Sequence, residues 1–139
     1  MSAAERIEEA RELLGIAREQ WDKADVHSWE PSDPAECVTL SFYSYENAVE
    51  AAALVVGEPL KKVHSYKARL AAKLASQGRL KTDVSRRLVE LNDLRKDVSY
   101  GEAGHNLSQT DLEDTVSDLE SLIDEVNDLI SKLEEEDAE

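Results

Sequence analysis

The sequence predicts an all-α protein, an antiparallel up-and-down bundle of four to five helices, and three observations support this fold class. The chain is rich in Ala, Leu, Glu, Lys and Arg, which favour helices, and it holds only five Gly and three Pro. Its apolar residues recur at spacings of three and four, and strand-like alternation is almost absent. A chain of 139 residues suits one core, so we expect a single domain over residues 1–139.

The first two predicted helices are bounded by capping residues and by helix breakers. Ser2 and Glu5 match a capping box, and the apolar stripe of the first helix follows them. Asp33 and Pro34 suit the start of the second helix, and Gly57 suits its end. The two predicted stripes consist of Ile7, Ala10, Leu14, Ala17, Trp21 and Ala24, and of Val38, Phe42, Tyr45, Val49, Ala52 and Val56.

The third and fourth predicted helices are shorter. The third should run over about residues 60–76 and end at Gly78, and the fourth should begin near residues 82–83 and end at Gly101. Arg95 lies on the stripe of the fourth helix, at a position where an apolar residue is expected. The inward-facing residues of these helices are predicted to be Val63, Leu70 and Leu74, and then Val84, Leu88, Leu91 and Val98.

The last predicted helix begins at a second capping box, formed by Thr110 and Glu113. Its apolar residues step by four and three, at Leu112, Val116, Leu119, Ile123, Val126, Ile130 and Leu133. Coiled coils share this pattern, but beside several other amphipathic helices we interpret it as one face of a bundle core. Residues 134–139 are almost all acidic, and we expect them to be a frayed, solvated tail.

The guanidinium of Arg95 needs an explanation of its own. Burying it without a partner costs several kcal/mol, so we expect it to be paired, exposed in a groove, or facing a partner. Asn92 and Ser99 share its helix face and can orient it, whereas Asp97 lies off that face. Two interpretations stay open: a structural ion pair with an acidic helix, and a site for a polyanion.

Charge is distributed unevenly along the chain, whose formal net charge is −15. Residues 1–60 hold 13 acids and 4 bases, residues 61–100 hold 4 acids and 11 bases, and residues 101–139 hold 14 acids and 1 base. The acidic total opposes nucleic-acid binding, but the middle segment carries +7 and can attract a polyanion locally. A bundle whose basic helices pair with acidic neighbours explains the same distribution.

Several chemistries are excluded by the motifs that the sequence lacks. It has no CxxC, HExxH, Gly-rich phosphate loop or GxSxG, and His27, His64 and His105 stand apart, so we predict no metal and no cofactor. Cys37 is the single cysteine, and the longest apolar run, residues 51–56, is too short to span a membrane. These features predict a cytoplasmic protein with no membrane partner.

Three stretches of the chain resemble segments of one known protein family. Residues 42–52, Phe-Tyr-Ser-Tyr-Glu-Asn-Ala-Val-Glu-Ala-Ala, are similar to the second helix of HEPN domains, where an aromatic residue precedes Glu and small residues. Residues 63–66, Val-His-Ser-Tyr, and the later Gly78 resemble the small stand-alone HEPN group. Residues 95–100, Arg-Lys-Asp-Val-Ser-Tyr, resemble the end of that group's motif helix. The similarity covers about residues 5–133.

The resemblance implies a homodimer and, in the nuclease branch of the family, two motifs that together cleave RNA without metal. That motif is Arg, four residues, then His, with a polar residue two positions after the Arg. Arg95 takes the arginine position, Asp97 the polar position, and Tyr100 stands where the histidine would be. Tyrosine titrates near pH 10 and histidine near 6.5, so an unperturbed tyrosine is about a thousandfold poorer as a base at neutral pH.

The predicted function is that of a HEPN-like protein of the toxin–antitoxin or defence type, a homodimer that binds RNA or a protein partner with weak or absent ribonuclease activity. The candidate catalytic residues are Arg95, Asp97 and Tyr100. One alternative is a non-catalytic interaction module paired with a nucleotidyltransferase-type protein. Another is an acidic inhibitor that mimics nucleic acid, which explains the charge of residues 101–139 but not the basic middle segment.

Overall fold

The computed structural model describes residues 1–29, 34–99 and 109–138, and these residues form five α-helices and no strand. The helices are α1 (Ala3–Trp29), α2 (Pro34–Val55), α3 (His64–Ser76), α4 (Ser85–Ser99) and α5 (Gln109–Ala138). The predicted all-α bundle is therefore confirmed. Many families share this class, so the class alone does not test the resemblance to HEPN proteins.

Helices α1 and α2 lie against each other in opposite directions. Toward the end of α1, the Cys37 thiol contacts the carbonyl oxygen of Ala24 at 3.5 Å. Nearer the middle, the Ser44 hydroxyl donates a 2.6 Å hydrogen bond to the carbonyl oxygen of Ala17. All four residues are fully buried, so small side chains let the two backbones approach closely while the polar atoms stay satisfied.

Helix α5 contacts both α1 and α2 and runs antiparallel to α1. At one end the Trp21 indole N–H donates a 3.0 Å hydrogen bond to the carbonyl oxygen of Val116, and at the other Arg11 lies 2.9 Å from Glu134. The predicted α5 stripe is buried at Leu112, Val116, Leu119, Ile123, Val126 and Ile130. The interpretation of this stripe as a bundle face is confirmed.

Helix α2 is the centre of the fold, because each of the other four helices contacts it. Its buried residues include Ala48, Ala51, Ala52 and Ala53, whose small side chains leave room for several neighbours. Helices α3 and α4 contact each other as well as α2. The described chain therefore has two groups of helices that share α2, the α1–α2–α5 layer and the α2–α3–α4 layer.

Several predicted helix ends are confirmed. The Glu5 N–H donates a 3.1 Å hydrogen bond to the Ser2 hydroxyl oxygen, and the Ser2 N–H donates one of 3.4 Å to the Glu5 carboxylate. Gly57 and Gly78 follow α2 and α3 with φ of 83° and 73°, a conformation that other residues rarely adopt. The predicted end at Gly101 lies outside the described residues.

The start of α3 differs from the prediction. The helix begins at His64 and not near residue 60, and Val63 before it is extended, with φ −106° and ψ 126°. The Tyr66 hydroxyl donates a 2.8 Å hydrogen bond to the carbonyl oxygen of Pro59, which ties the first turn of α3 to the chain before it. Val63 is 55% exposed, so its predicted inward position is wrong. The later start places His64 in the first turn of a helix that contacts α2.

The acidic end of the chain also differs from the prediction. Helix α5 continues through Ala138, so residues 134–138 are helical and not a frayed tail. Glu134 contributes to this order because it pairs with Arg11 of α1. This exposed ion pair contributes little to stability, but it places the Glu134 side chain against α1, a contact that composition alone does not predict.

Candidate functional site

Arg95 lies on the inward face of α4, where the sequence predicted it. Leu88 and Leu91 on the same face are 2% and 3% exposed, and Arg95 follows them, partly buried. Arg95 Nη2 donates a 2.8 Å hydrogen bond to Oδ1 of Asn92, one turn earlier on the same helix. The predicted orienting role of Asn92 is confirmed.

Two aromatic rings of α2 face the Arg95 guanidinium. Arg95 Cζ lies 5.2 Å from the centroid of the Phe42 ring and 5.7 Å from that of Tyr43. A cation over a ring face is stabilised by about 0.5–1 kcal/mol at exposed sites and by more where water is excluded. The rings and Asn92 together hold the guanidinium in one orientation.

Helix α2 carries a buried charged side chain, Glu46, one turn after Phe42. Only 3% of the Glu46 side chain is exposed, and its Oε2 lies 2.6 Å from Nδ1 of His64. The His64 ring also contacts the Phe42 ring edge-on, with centroids 5.1 Å apart. A carboxylate so close to Nδ1 favours a proton on that nitrogen, which leaves Nε2 as the ring's acceptor.

Lys67 balances the charge around Glu46. Its Nζ lies 2.7 Å from Oε1 of Glu50 and 3.6 Å from Oε1 of Glu46, and only 13% of its side chain is exposed. A buried carboxylate without such neighbours costs several kcal/mol. His64 and Lys67 therefore make the burial of Glu46 tolerable and attach α3 to α2.

Phe42, Glu46, His64, Lys67 and Arg95 form one site, which we call the α2–α3–α4 cluster. Three helices contribute to it, and the Phe42 ring contacts both Arg95 and His64. The cluster contains a fixed guanidinium, an imidazole oriented by a buried carboxylate, and an ammonium group. This set can bind a phosphate through the guanidinium and can transfer a proton through the imidazole.

The structure describes only part of the site that the sequence predicted. Asp97 belongs to α4, but its side chain and the whole of Tyr100 lie outside the described residues. That Arg95, Asp97 and Tyr100 line one groove or one dimer seam therefore stays a prediction.

Glu46 and His64 lie in two of the stretches that resemble HEPN proteins, but from the sequence alone neither of them was assigned a role in the site. Glu46 stands four residues after Phe42 and three before Val49, so it interrupts the apolar face of α2 as Arg95 interrupts that of α4. This second break was a usable signal. No helical spacing pointed to a role for His64, because only the packing of α3 on α2 brings it to Glu46.

The cations of residues 61–100 are divided between ion pairs and exposed positions. Lys73 lies 2.8 Å from Glu58, and Arg87 lies 2.6 Å from Asp118 of α5. The exposed cations outside these ion pairs are Lys61, Lys62, Arg69, Arg79, Lys81, Arg86 and Lys96. The basic helices do pair with acidic neighbours, yet most of their positive charge still faces solvent.

A shallow groove of about 520 Å³ lies between α3 and α4. Its lining residues are Ser65, Ala68, Arg69, Ala72, Ser85, Arg86 and Val89. Val89 is 51% exposed, so the groove offers an apolar strip beside two arginines. Amphipathic helices with acidic flanks fit surfaces of this kind.

Burial makes two ionisable groups of the α1–α2–α5 layer, Cys37 and Tyr45, unreactive. Burial raises the pKa of the Cys37 thiol to about 11, against a smaller lowering by the nearby Ser41 hydroxyl. Burial also raises the pKa of Tyr45, whose hydroxyl donates a 3.0 Å hydrogen bond to the carbonyl oxygen of Thr115. Both stay protonated at neutral pH, and neither belongs to the site.

The described residues show neither a metal site nor a membrane span. No three His, Cys, Asp or Glu side chains among them are grouped so that they can hold a metal ion. None of the helices described combines the length and the hydrophobicity that crossing a bilayer requires.

No protein-family model matches the chain, and no match was found among curated proteins or solved structures. The resemblance to HEPN proteins is therefore carried by the motifs at residues 42–52, 63–66 and 95–100.

Proposed function

We propose that this chain is a HEPN-like protein that binds RNA at the α2–α3–α4 cluster, within a toxin–antitoxin or defence system, and has weak or absent ribonuclease activity. One observation carries the proposal: the Arg95 guanidinium interrupts an apolar helix face and is held by Asn92 and two aromatic rings. The resemblance of residues 95–100 to the HEPN motif supports the same role for Arg95.

A guanidinium held in place suits a phosphodiester well. Its planar fork can donate two parallel hydrogen bonds to two phosphate oxygens. Because Asn92, Phe42 and Tyr43 already restrict the Arg95 side chain, binding costs less conformational entropy than it would for a free arginine. The rings also displace water, which strengthens the bond to an anion.

The exposed cations of α3 and α4 and of the loops beside them give RNA a local approach to this site. The flanking segments carry −9 and −13, so RNA is repelled by α1 and α5 and attracted by residues 61–100. We therefore expect affinity that falls steeply as salt is raised, because the favourable contacts are to phosphates.

We further propose a two-fold homodimer with the α4 helices near the axis. The HEPN resemblance supports this arrangement, since two motifs act together in that family. It also leaves the acidic α1 and α5 surfaces outside, where their charge favours solubility. Analytical ultracentrifugation at tens of micromolar protein should show a dimer, and a monomer there contradicts this part of the proposal.

Replacement of Arg95 tests the RNA-binding role directly. Fluorescence anisotropy with a labelled, mixed-sequence single-stranded RNA at low salt should show binding by the unaltered protein. Arg95→Ala should weaken that binding roughly tenfold or more, because hydrogen bonds to charged groups contribute about 1.5–3 kcal/mol. Arg18→Ala is the matched control. It also removes one guanidinium, but from α1, where Arg18 forms an exposed ion pair with Asp124 of α5.

The alternative outcomes are distinct. If Arg95→Ala and Arg18→Ala bind RNA equally, the cluster is not the RNA site. If the unaltered protein binds no RNA and Arg95→Ala only lowers the melting temperature, Arg95 has a structural role and the proposed function is wrong.

The groove between α3 and α4 favours a second function, binding of a protein partner such as a nucleotidyltransferase-type protein. Ala68 and Ala72 make the groove shallow, and Arg69 and Arg86 favour acidic residues on the partner. A synthetic acidic amphipathic helix should bind the protein, and Val89→Asp should abolish that binding without affecting RNA binding. Failure of the peptide to bind in low salt contradicts this second function.

A further inference from the structure

We propose that His64, oriented by Glu46, is the proton-transferring group of this site, and that the cluster cleaves RNA with a histidine from α3 where the motif on α4 carries Tyr100. This inference rests on the proposed binding of RNA at Arg95. It assigns proton transfer to His64 and the positioning of its ring to Glu46, two residues that lie outside residues 95–100.

The bond between His64 and Glu46 has the geometry of a carboxylate–histidine pair. The Glu46 carboxylate is 2.6 Å from Nδ1 and almost fully buried, so it is a fixed acceptor for the Nδ1 proton. Lys67, 3.6 Å from the other carboxylate oxygen, keeps Glu46 in place. The neutral ring is then held with Nε2 as its proton acceptor, the arrangement used by general bases.

The working end of the His64 ring is available to a ligand. The His64 side chain is 39% exposed, although its carboxylate partner is buried. Among the described residues, Nδ1 is the only ring nitrogen of His64 with a hydrogen-bond partner. A histidine that served only to pin α3 to α2 would need the Nδ1 bond alone, so the free Nε2 fits a second role.

Arg95 and His64 are placed to act on one substrate. The guanidinium carbon of Arg95 and the ring centre of His64 lie 5.2 Å and 5.1 Å from the centre of the same Phe42 ring. The two groups are therefore at most about 10 Å apart, so a phosphodiester bound by Arg95 and the ribose next to it can reach the imidazole. Arg95, His64 and Phe42 belong to three different helices, so the sequence of any one helix does not reveal that they lie together.

The step that this geometry supports is an internal transesterification of RNA. Nε2 of His64 takes the proton of the ribose 2′-hydroxyl as its oxygen attacks the adjacent phosphorus. The new P–O2′ bond forms, the P–O5′ bond breaks with its electron pair on O5′, and O5′ takes a proton from water. The hydroxide left behind is neutralised by the proton on His64, so the histidine is regenerated and no co-reactant is consumed. Arg95 stabilises the charge that develops on the phosphoryl oxygens.

Single-turnover cleavage of a labelled RNA in the presence of EDTA tests the assignment. The unaltered protein should release products ending in a 2′,3′-cyclic phosphate and a 5′-hydroxyl, and a 2′-deoxy substitution at the scissile nucleotide should block cleavage. His64→Gln should lower the rate roughly 100-fold or more, in line with the usual contribution of general base catalysis. His27→Gln, on α1, is the matched control and should leave the rate unchanged.

Two further measurements distinguish a catalytic role of His64 from a purely structural role in attaching α3 to α2. His64→Gln and Glu46→Gln should lower the cleavage rate far more than they weaken RNA binding, so the loss appears mainly in the rate and only slightly in Kd. Added imidazole should restore part of the activity of His64→Ala, which a purely structural histidine would not allow. Glu46 acts through His64, so it is a positioning residue.

Each failure has its own meaning. Cleavage that survives His64→Gln, or RNA that is bound but never cleaved, overturns the role of His64 and leaves RNA binding intact. Absence of RNA binding by the unaltered protein overturns the proposed function itself, and this inference falls with it.

Discussion

The two layers that share α2 handle charge in opposite ways. In the α1–α2–α5 layer no charged side chain of α1 or α5 is buried among the described residues, and the ion pairs lie at the rim, where Arg11 and Glu134 are 39% and 55% exposed. In the α2–α3–α4 layer the charged groups interrupt the apolar faces themselves, and Glu46 is 3% exposed. Rim pairs contribute little to stability, whereas buried charges need fixed partners. The α2–α3–α4 layer therefore contains charged side chains whose burial is unfavourable without partners, and these side chains form the candidate site.

Replacement of Phe42 should have the largest effect on stability, because its ring belongs to the core and also contacts Arg95 and His64. Phe42→Ala should lower the free energy of unfolding by about 3–5 kcal/mol, measured by urea denaturation, since the ring is 1% exposed. Phe42→Leu should cost less than about 1.5 kcal/mol, because it nearly conserves apolar volume. If Phe42→Leu also leaves RNA binding unchanged, the ring does not position Arg95.

Glu46 should matter more to stability than any rim charge. Glu46→Ala should cost about 2–3 kcal/mol, because it leaves His64 Nδ1 and part of the Lys67 interaction without a partner in a buried setting. Arg11→Ala, which breaks a rim pair, should cost only about 0.2–1 kcal/mol. Equal losses in urea denaturation would remove the distinction between the two layers.

Cys37 shows how the α1–α2–α5 layer treats an ionisable group without a charged partner. Its pKa is raised from 9.0 to about 11, so between these values the unfolded chain has lost the thiol proton and the folded chain keeps it. The Cys37 contribution to stability should therefore be constant below pH 9 and fall by about 2 kcal/mol between pH 9 and 11. Cys37→Ala should show a smaller loss over that range in urea denaturation, although it is less stable at pH 7. A parallel decline in both proteins would mean that Cys37 is not the titrating group.

The same burial predicts that the thiol is unreactive. At pH 8 the native protein should react with a thiol reagent far more slowly than the urea-unfolded chain, because both access and thiolate are lacking. Rapid labelling of native protein would show that the α1–α2 contact opens readily.

The pair formed by Glu58 and Lys73 should give the smallest effect. The hydrogen bond between the two side chains lowers the pKa of Glu58 below 4.5 and raises the pKa of Lys73 above 10.5. The Glu58 contribution is therefore present above pH 4.5 and lost as pH falls further, and the Lys73 contribution is lost only in strong alkali. Between pH 6 and 3, the Tm of Glu58→Gln should fall slightly less than that of the unaltered protein. A large difference in Tm would show that this surface ion pair, whose Lys73 side chain is 52% exposed, stabilises the fold more than exposed pairs usually do.

The sequence by itself determined the helices and the boundaries that depend on local chemistry. Ser2 with Glu5 caps α1, and Gly57 and Gly78 end α2 and α3, because capping bonds and positive φ involve residues within a few positions of each other. The stripe of α5 was readable for the same reason, since burial repeats with the helical period. Even Arg95 and its bond to Asn92 followed from spacing on one helix.

The tertiary structure decided everything that joins distant residues. Glu46 and His64 are 18 positions apart and belong to different helices, so no local period relates them, and α3 had to begin at His64 and pack on α2 before the pair existed. The end of α5 was likewise held by Arg11, which lies 123 positions away. Hydrophobic periodicity records which face of a helix is buried but not which helix covers it. For that reason the sequence pointed to Arg95, and only the packing of three helices around Phe42 showed the imidazole and carboxylate beside it.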